Sequence, residues 1–443
     1  MKKLVKRMLA LVCCGALMMS SMSMVYAKGD IIRPYTFGFG DENDVDEGVY
    51  DLVEEGDLKH LTFEDSTGHS INYWVHIPKD DQGQPIPNLP LVMYMHGYSD
   101  GGGDNNIAIR YHNALLFKLI QDQDKPERQA VILVPQTPNA INPPEEKDWF
   151  KDQWVGIEPR EGEDLWTQWN RTSWNMDKTP RTENLNTVVE LMEKIQKDTK
   201  SDLDRAYVSG ISMGGYTTWD LISRDDTHRF AAAVPICGVG DPTKVENAKD
   251  TPIRMFHGGI DPVINPEASR SMYRLLRGYG NVTFTEYPDE EHPCWNSAYS
   301  PTLDDDGNGV SNLDDLINWM FNQSRKGTLD GKVDKAPLTQ IVKDAKLEKE
   351  ANYKPEEWTL LQDSIKEAEK VLAESTVKEE FDKSASNVTK AMHQVTTEEN
   401  TQDEQQTEAP IEKEQSSTPL VAGVIVLVVA GAVVYFILKR NKK

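Results

Sequence analysis

Between residues 61 and 287, short apolar runs alternate with segments of helical spacing, and this alternation narrows the possible folds more than any other feature of the chain. The strand-like runs are 70–77, 91–95, 130–134, 205–209, 231–236, 253–256 and 282–287. Segments 113–121, 182–197, 214–223 and 267–277 carry apolar residues near a 3.6-residue period. Strands that alternate with helices imply a mostly parallel sheet covered on both faces, the α/β class. The 443 residues leave room for two or three domains.

The chain ends predict its location. Residues 1–27 combine a cationic start, an apolar run and the small-residue exit Val25-Tyr26-Ala27, the pattern of a secretory signal. Residues 420–438 are uncharged and about long enough to span a bilayer as a helix. Residues 439–443 follow with Lys439, Arg440, Lys442 and Lys443, which the positive-inside rule places in the cytoplasm. A sortase-type tail would need Leu-Pro-x-Thr-Gly before the apolar run, and Ser416-Ser417-Thr418-Pro419-Leu420 does not supply it. These features predict an extracellular body, from residue 28 onward, held at the membrane by one C-terminal helix.

Residues 28–330 read as the α/β domain, with a long stretch at about 139–180 between its elements. Residues 336–395 have few glycines, many Glu and Lys, and a seam of Ile341, Ala345, Trp358, Leu361, Ile365, Ala368, Phe381, Val388 and Met392. That pattern predicts a separate small helical bundle. Residues 396–419 are Glu, Gln, Thr and Ser with almost nothing apolar, the composition of a disordered stalk. The formal charge is −24 and becomes −32 once the four cations at each end are set aside. A surface so acidic repels phosphate backbones, which argues against nucleic acid as a partner.

Gly-x-Ser-x-Gly occurs at Gly97–Gly101 and at Gly210–Gly214. A nucleophile elbow needs a strand directly before the serine and a helix directly after it. Ser212 has both, whereas Ser99 runs into Gly101-Gly102-Gly103, a poor helix start. In the order serine, acid, histidine, the histidines left after Ser212 outside the connections and the bundle are His257 and His292. His257 ends a strand and Asp261 lies on the loop beyond it, so Asp261 reads as the acid, His292 as the base and His257 as support for the loop. His292 would take the serine proton while Asp261 fixes its tautomer. Met213, directly after the serine, and Tyr98, after the strand ending at Met95, read as backbone donors to the oxyanion, with Ser99 the alternative to Tyr98. Cys13 and Cys14 leave with the signal. Cys237 and Cys294 remain near the expected site and are candidates for a disulfide on compartment grounds.

Read together, His96-Gly97, Gly103-Asp104-Asn105, Pro135-Gln136, Gly210 to Gly215, residues 230–238, His257-Gly258 with Asp261, His292-Pro293-Cys294-Trp295 and residues 319–323 resemble secreted α/β-hydrolases of the feruloyl and acetyl-xylan esterase type and their prolyl oligopeptidase-like relatives. The resemblance runs from about residue 61 to 323 and implies a serine carboxylesterase acting on acyl or feruloyl esters, with esterified polysaccharide or a small ester as substrate. A serine peptidase with the same triad is the alternative, and a non-catalytic surface-binding protein is the second. Trp149, Trp154, Trp166, Trp169 and Trp174 crowd the long stretch, suited either to stacking on substrate or to packing the loop's own core. Trp295, Trp174 and His96 are candidate substrate contacts. Residues 336–395 are similar to the FIVAR module of Gram-positive surface proteins, which implies a spacer or adhesion role. The proposed chemistry requires no cofactor. One acidic loop, with Asp304, Asp306, Asn308 and Asp315, has near-EF-hand spacing and would suit a structural calcium.

Overall fold

The computed structural model describes residues 58–102, 109, 114–138, 153–157, 169–224, 227–300 and 312–392. The expected signal, stalk, membrane helix and cytoplasmic tail lie outside these residues. Among the described residues, no helix is long and apolar enough to cross a membrane.

Eight strands form one sheet: β1 (Lys59–Glu64), β2 (Ser70–His76), β3 (Leu91–Met95), β4 (Val131–Gln136), β5 (Ala206–Ile211), β6 (Ala232–Ile236), β7 (Ile253–Gly258) and β8 (Val282–Tyr287). Their order is β1-β2-β4-β3-β5-β6-β7-β8. From β4 onward across the sheet, neighbours run parallel, with Met95 opposite Gly210 and Ile211 opposite Ile236. β1 and β2 add an antiparallel edge, with Lys59 opposite Val75 and Asn72 opposite Gln136. Every strand the sequence predicts is present within a residue or two of its expected bounds. β1 was not expected. It is an edge strand with Leu61 44% exposed, so it lacks the continuous apolar run that marks a buried strand.

Helices α1 (Ala114–Gln121), α2 (Glu183–Thr199), α3 (Met213–Ser223), α4 (Val245–Ala248), α5 (Glu267–Leu276), α6 (Trp295–Ala298) and α7 (Asn312–Phe321) surround the sheet. Alternate side chains of one strand serve opposite cores. On β3, Leu91, Met93 and Met95 join one apolar cluster with α2's Leu185, Val188, Leu191 and Ile195. Val92 and Tyr94 join the other, with α1's Leu115 and Leu119 and α7's Leu316 and Ile317. Thr182 caps α2 by accepting from the N–H of Leu185 at 3.2 Å. Each fully buried aliphatic side chain contributes roughly 1.5–3 kcal/mol through removal from water, which ties both helical layers to the strands.

The C-terminal helices α8 (Ala336–Ala345), α9 (Pro355–Glu374) and α10 (Lys378–Met392) enclose their own core of Leu338, Ile341, Leu361, Ile365, Phe381, Val388 and Met392. The sequence predicts a small helical bundle here, and the bundle with its own core also touches the sheet. Gln340 of α8 donates to the carbonyl of Phe284 at 2.5 Å and accepts from the same residue's N–H at 2.9 Å. β8 is the terminal strand of the sheet, so this one amide side chain pairs its open edge as another strand would. Nearby, the Tyr273 hydroxyl donates to the Asp344 carboxylate at 2.6 Å, and burial raises that carboxyl's pKa. Sequence periodicity could not show these contacts, because they rest on polar residues outside the apolar seam. Gln340→Leu should lower stability by about 1–3 kcal/mol, the usual cost of stranding buried backbone groups, measured by urea denaturation. An unchanged midpoint would show that the bundle is only tethered to the body.

Candidate active site

β5 delivers Ser212 to the C-terminal edge of the sheet, and α3 begins at the next residue. Ser212 has φ 54° and ψ −119°, a backbone conformation that side-chain-bearing residues rarely adopt. The Ser212 N–H donates to Ile236 on β6 at 2.9 Å, and its carbonyl accepts from Gly215 and Tyr216, which holds the turn in place. Glycine is required on both sides. A Cβ at Gly210 would lie 2.3 Å from the Gly214 carbonyl oxygen, and one at Gly214 would lie 1.9 Å from the Met95 carbonyl oxygen.

Ser212, Asp261 and His292 come together from three separate segments. The Ser212 Oγ to His292 Nε2 distance is 2.9 Å, and His292 Nδ1 lies 2.7 Å from Asp261 Oδ2. A carboxylate only accepts, so the His292 proton sits on Nδ1 and Nε2 is left free to receive the serine proton. Asp261 Oδ1 accepts from the N–H groups of Val263 and Ile264 at 2.8 and 2.9 Å. Burial pushes the Asp261 carboxyl up, yet hydrogen bonds from His257 and His292 outweigh it and hold the group well below the ordinary carboxylate range. The acid therefore stays ionised beside the imidazole.

Met213 opens α3, where the first N–H groups of a helix have no intrahelical acceptor. Tyr98 opens a short 3-10 turn, Tyr98–Asp100, directly beside the elbow, since a Cβ at Gly97 would lie 3.8 Å from Ser212 Cβ. Two residues that sequence reasoning missed shape this loop. Asp100 is buried and its carboxylate accepts from the Gly97 N–H at 3.1 Å. Thr137, just past β4, donates its N–H to His96 Nε2 at 3.1 Å, and its carbonyl accepts from Gly102 at 2.9 Å. One residue thus closes both ends of the loop that carries Tyr98.

His96 is not a substrate contact. It is fully buried, its Nδ1 donates to the Gly97 carbonyl at 2.7 Å and its Nε2 is taken by Thr137, so both nitrogens serve the backbone. Burial lowers its pKa, partly opposed by Asp100, which favours the neutral ring this pattern needs. Trp174 is corrected in the same way. It is 5% exposed, packs edge-on to Tyr216 with ring centroids 5.7 Å apart and lies under the Arg224 guanidinium. Trp154 and Trp169 are also buried, against His96 and Tyr216 respectively, so the described part of the tryptophan-rich stretch is packing. Trp149 and Trp166 lie outside the described residues. Trp295 is 5% exposed and meets the His292 ring edge-to-face at 5.2 Å, so it braces the imidazole instead of offering a stacking face.

Cys237 and Cys294, the two candidates for a disulfide, are free, buried thiols with sulfurs 2.9 Å apart. The Cys237 thiol donates to the His292 carbonyl at 3.1 Å, and burial pushes its pKa well up. With residues 1–27 removed, a thiol reagent should find no fast-reacting cysteine in the native protein and two after unfolding, because both sulfurs are shut off from solvent. A count of zero after unfolding would show an oxidised pair. Of the candidate calcium ligands, Asp304, Asp306 and Asn308 lie outside the described residues. Asp315 sits on α7 with its carboxylate on Arg254, a partner that competes with a cation for the same oxygens.

The Prolyl oligopeptidase family matches the chain over residues 155–254. A bifunctional acetylxylan esterase/xylanase of Neocallimastix patriciarum is 26% identical over 176 residues, which cover 37% of this chain and 26% of that protein. Among solved structures, a thermostable esterase is 28% identical, covering 61% of this chain and 64% of the other, with a TM-score of 0.44. A ferulic acid esterase is 15% identical over 60% of this chain and 97% of its own, with a TM-score of 0.39. The chain thus spans about a quarter of the length of the curated relative it matches. The largely parallel sheet, the elbow and the order of the elements are those of the α/β-hydrolase fold.

Proposed function

We propose that this chain is an extracellular serine carboxylesterase that removes acyl or feruloyl groups, on polysaccharide, through an acyl-enzyme. The observation that carries the reading is the unbroken relay from Ser212 Oγ through His292 to Asp261 on a strained elbow. Ser212 Oγ attacks the ester carbonyl carbon as its proton passes to His292 Nε2. The tetrahedral oxyanion is held by the N–H groups of Met213 and Tyr98. His292 then returns the proton to the leaving alcohol as the C–O bond breaks. Water repeats the sequence to release the acid and free the serine.

The preference for esters is supported by a relative named for acetylxylan esterase activity. The match to the Prolyl oligopeptidase family supports the second reading, a serine peptidase with the same relay. The leader-like residues 1–27 and the apolar residues 420–438 followed by cations support display on the outer face of the membrane of a Gram-positive cell. The FIVAR-like spacing of the C-terminal helices supports a role in presenting the enzyme to surface glycan. The ectodomain, residues 28–419, tested on p-nitrophenyl acetate, methyl ferulate, acetylated xylan and a chromogenic peptide, should turn over the esters and leave the peptide intact. Turnover of the peptide alone would establish the peptidase, and turnover of none a binding protein.

A further inference from the structure

We propose that His257 is a positioning residue for the reaction, a second histidine that holds the catalytic carboxylate from behind and shares its charge with His292. The inference rests on the serine-hydrolase reading above. His257 is fully buried at the end of β7. Its Nε2 lies 3.1 Å from Asp261 Oδ2 and 3.0 Å from the Ile264 carbonyl oxygen. Both of those atoms can only accept, so Nε2 carries the proton. Nδ1, 2.7 Å from Ser269 Oγ on α5, must then accept from that hydroxyl. The tautomer of His257 is thus fixed by Asp261 and the Ile264 carbonyl, and the Ser269 hydroxyl, able to donate or accept, completes it by donating to Nδ1.

Two consequences follow for Asp261. With Val263 and Ile264 on Oδ1 and both imidazoles on Oδ2, its carboxylate has four donors and its plane cannot rotate. His257 also competes with His292 for the same oxygen. Removing the His257 N–H leaves Oδ2 to His292 alone, which strengthens that pair and favours the imidazolium. The looser carboxylate in turn orients the His292 ring less well. Other groups facing this patch do not supply the effect. Glu286 on β8 is engaged by Arg270 through both oxygens, at 2.7 and 2.8 Å. Cys237, after β6, and Tyr216 on α3 face Asp261 and are kept protonated by burial, with Arg171 beside Tyr216.

The test is the pH profile of kcat/KM for p-nitrophenyl acetate, with the ectodomain and three variants. His257→Met should lower kcat roughly tenfold to a hundredfold, the usual cost of a slightly misplaced catalytic group, and move the acid limb to higher pH. His257→Gln keeps an N–H near the Nε2 position and should restore the limb and most of kcat. Ser269→Ala removes the donor to Nδ1, loosens the ring that holds Asp261 and should fall between the wild type and His257→Met. A folded His257→Met with an unmoved acid limb would overturn the proposal. If that variant does not fold, an unmoved limb in Ser269→Ala does so instead. Failure of the wild type to react with a fluorophosphonate would overturn the serine-hydrolase reading itself, a result the variants cannot mimic.

Discussion

Ser212→Ala lowers ester turnover by roughly ten-thousandfold to a millionfold and abolishes labelling by a fluorophosphonate, whereas Ser99→Ala leaves labelling intact. Both serines sit in Gly-x-Ser-x-Gly, so the motif does not separate them. Their surroundings do. Ser212 stands between β5 and α3 with its Oγ 2.9 Å from an imidazole whose other nitrogen is held by Asp261. Ser99 lies inside the 3-10 turn Tyr98–Asp100, which leads into extended backbone at Gly101 instead of into a helix. The adjacent imidazole is what makes the Ser212 hydroxyl a nucleophile near neutral pH. His292→Ala should lose nearly as much as Ser212→Ala, and the double variant little more, because the two act as one unit. Labelling at Ser99 in the wild type would assign the nucleophile to the other motif.

Gly214→Ala carries the largest expected effect on stability. The added Cβ would stand 1.9 Å from the Met95 carbonyl oxygen, 2.6 Å from its carbon and 2.9 Å from the His96 oxygen. All three are backbone atoms at the C-terminal end of β3, so no side chain can swing aside to make room. Either α3 or the end of β3 must move, at a cost of about 3 kcal/mol or more. A shift of β3 also carries Gly97 and Tyr98 away from the elbow, so activity should fall in whatever fraction stays folded. The expected readings are a melting temperature lowered by several degrees and a loss of kcat that exceeds the loss of folded protein. A wild-type melting temperature would show that the two elements are not in backbone contact.

The seven strand-like runs and their alternation with helices were legible because a doubly covered sheet demands continuous apolar runs with helical patterns between them. The elbow and the order serine, acid, histidine were legible for a similar reason, since a strained strand-to-helix turn restricts its own sequence to glycine, serine and glycine. The exposed edge strand β1 left no such trace.

Polar partners were the part that only the tertiary structure decided. Thr137, Ser269 and Gln340 each make a decisive hydrogen bond to a group in another segment, at spacings of forty-one, twelve and fifty-six residues from His96, His257 and Phe284, and Asp100 makes one to Gly97 inside their shared turn. A hydrogen bond needs one donor and one acceptor at about 3 Å and asks nothing of the residues between them, so it imposes no period that a sequence could display. The same holds for the indoles of Trp154, Trp169 and Trp174, whose number was evident and whose burial was not. Apolar burial is a property of a whole face and writes itself into composition and spacing, and so the sequence by itself determined the strands of the sheet other than β1, the elbow and the three residues of the relay. Which neighbours hold those residues still was decided only when the chain closed around them.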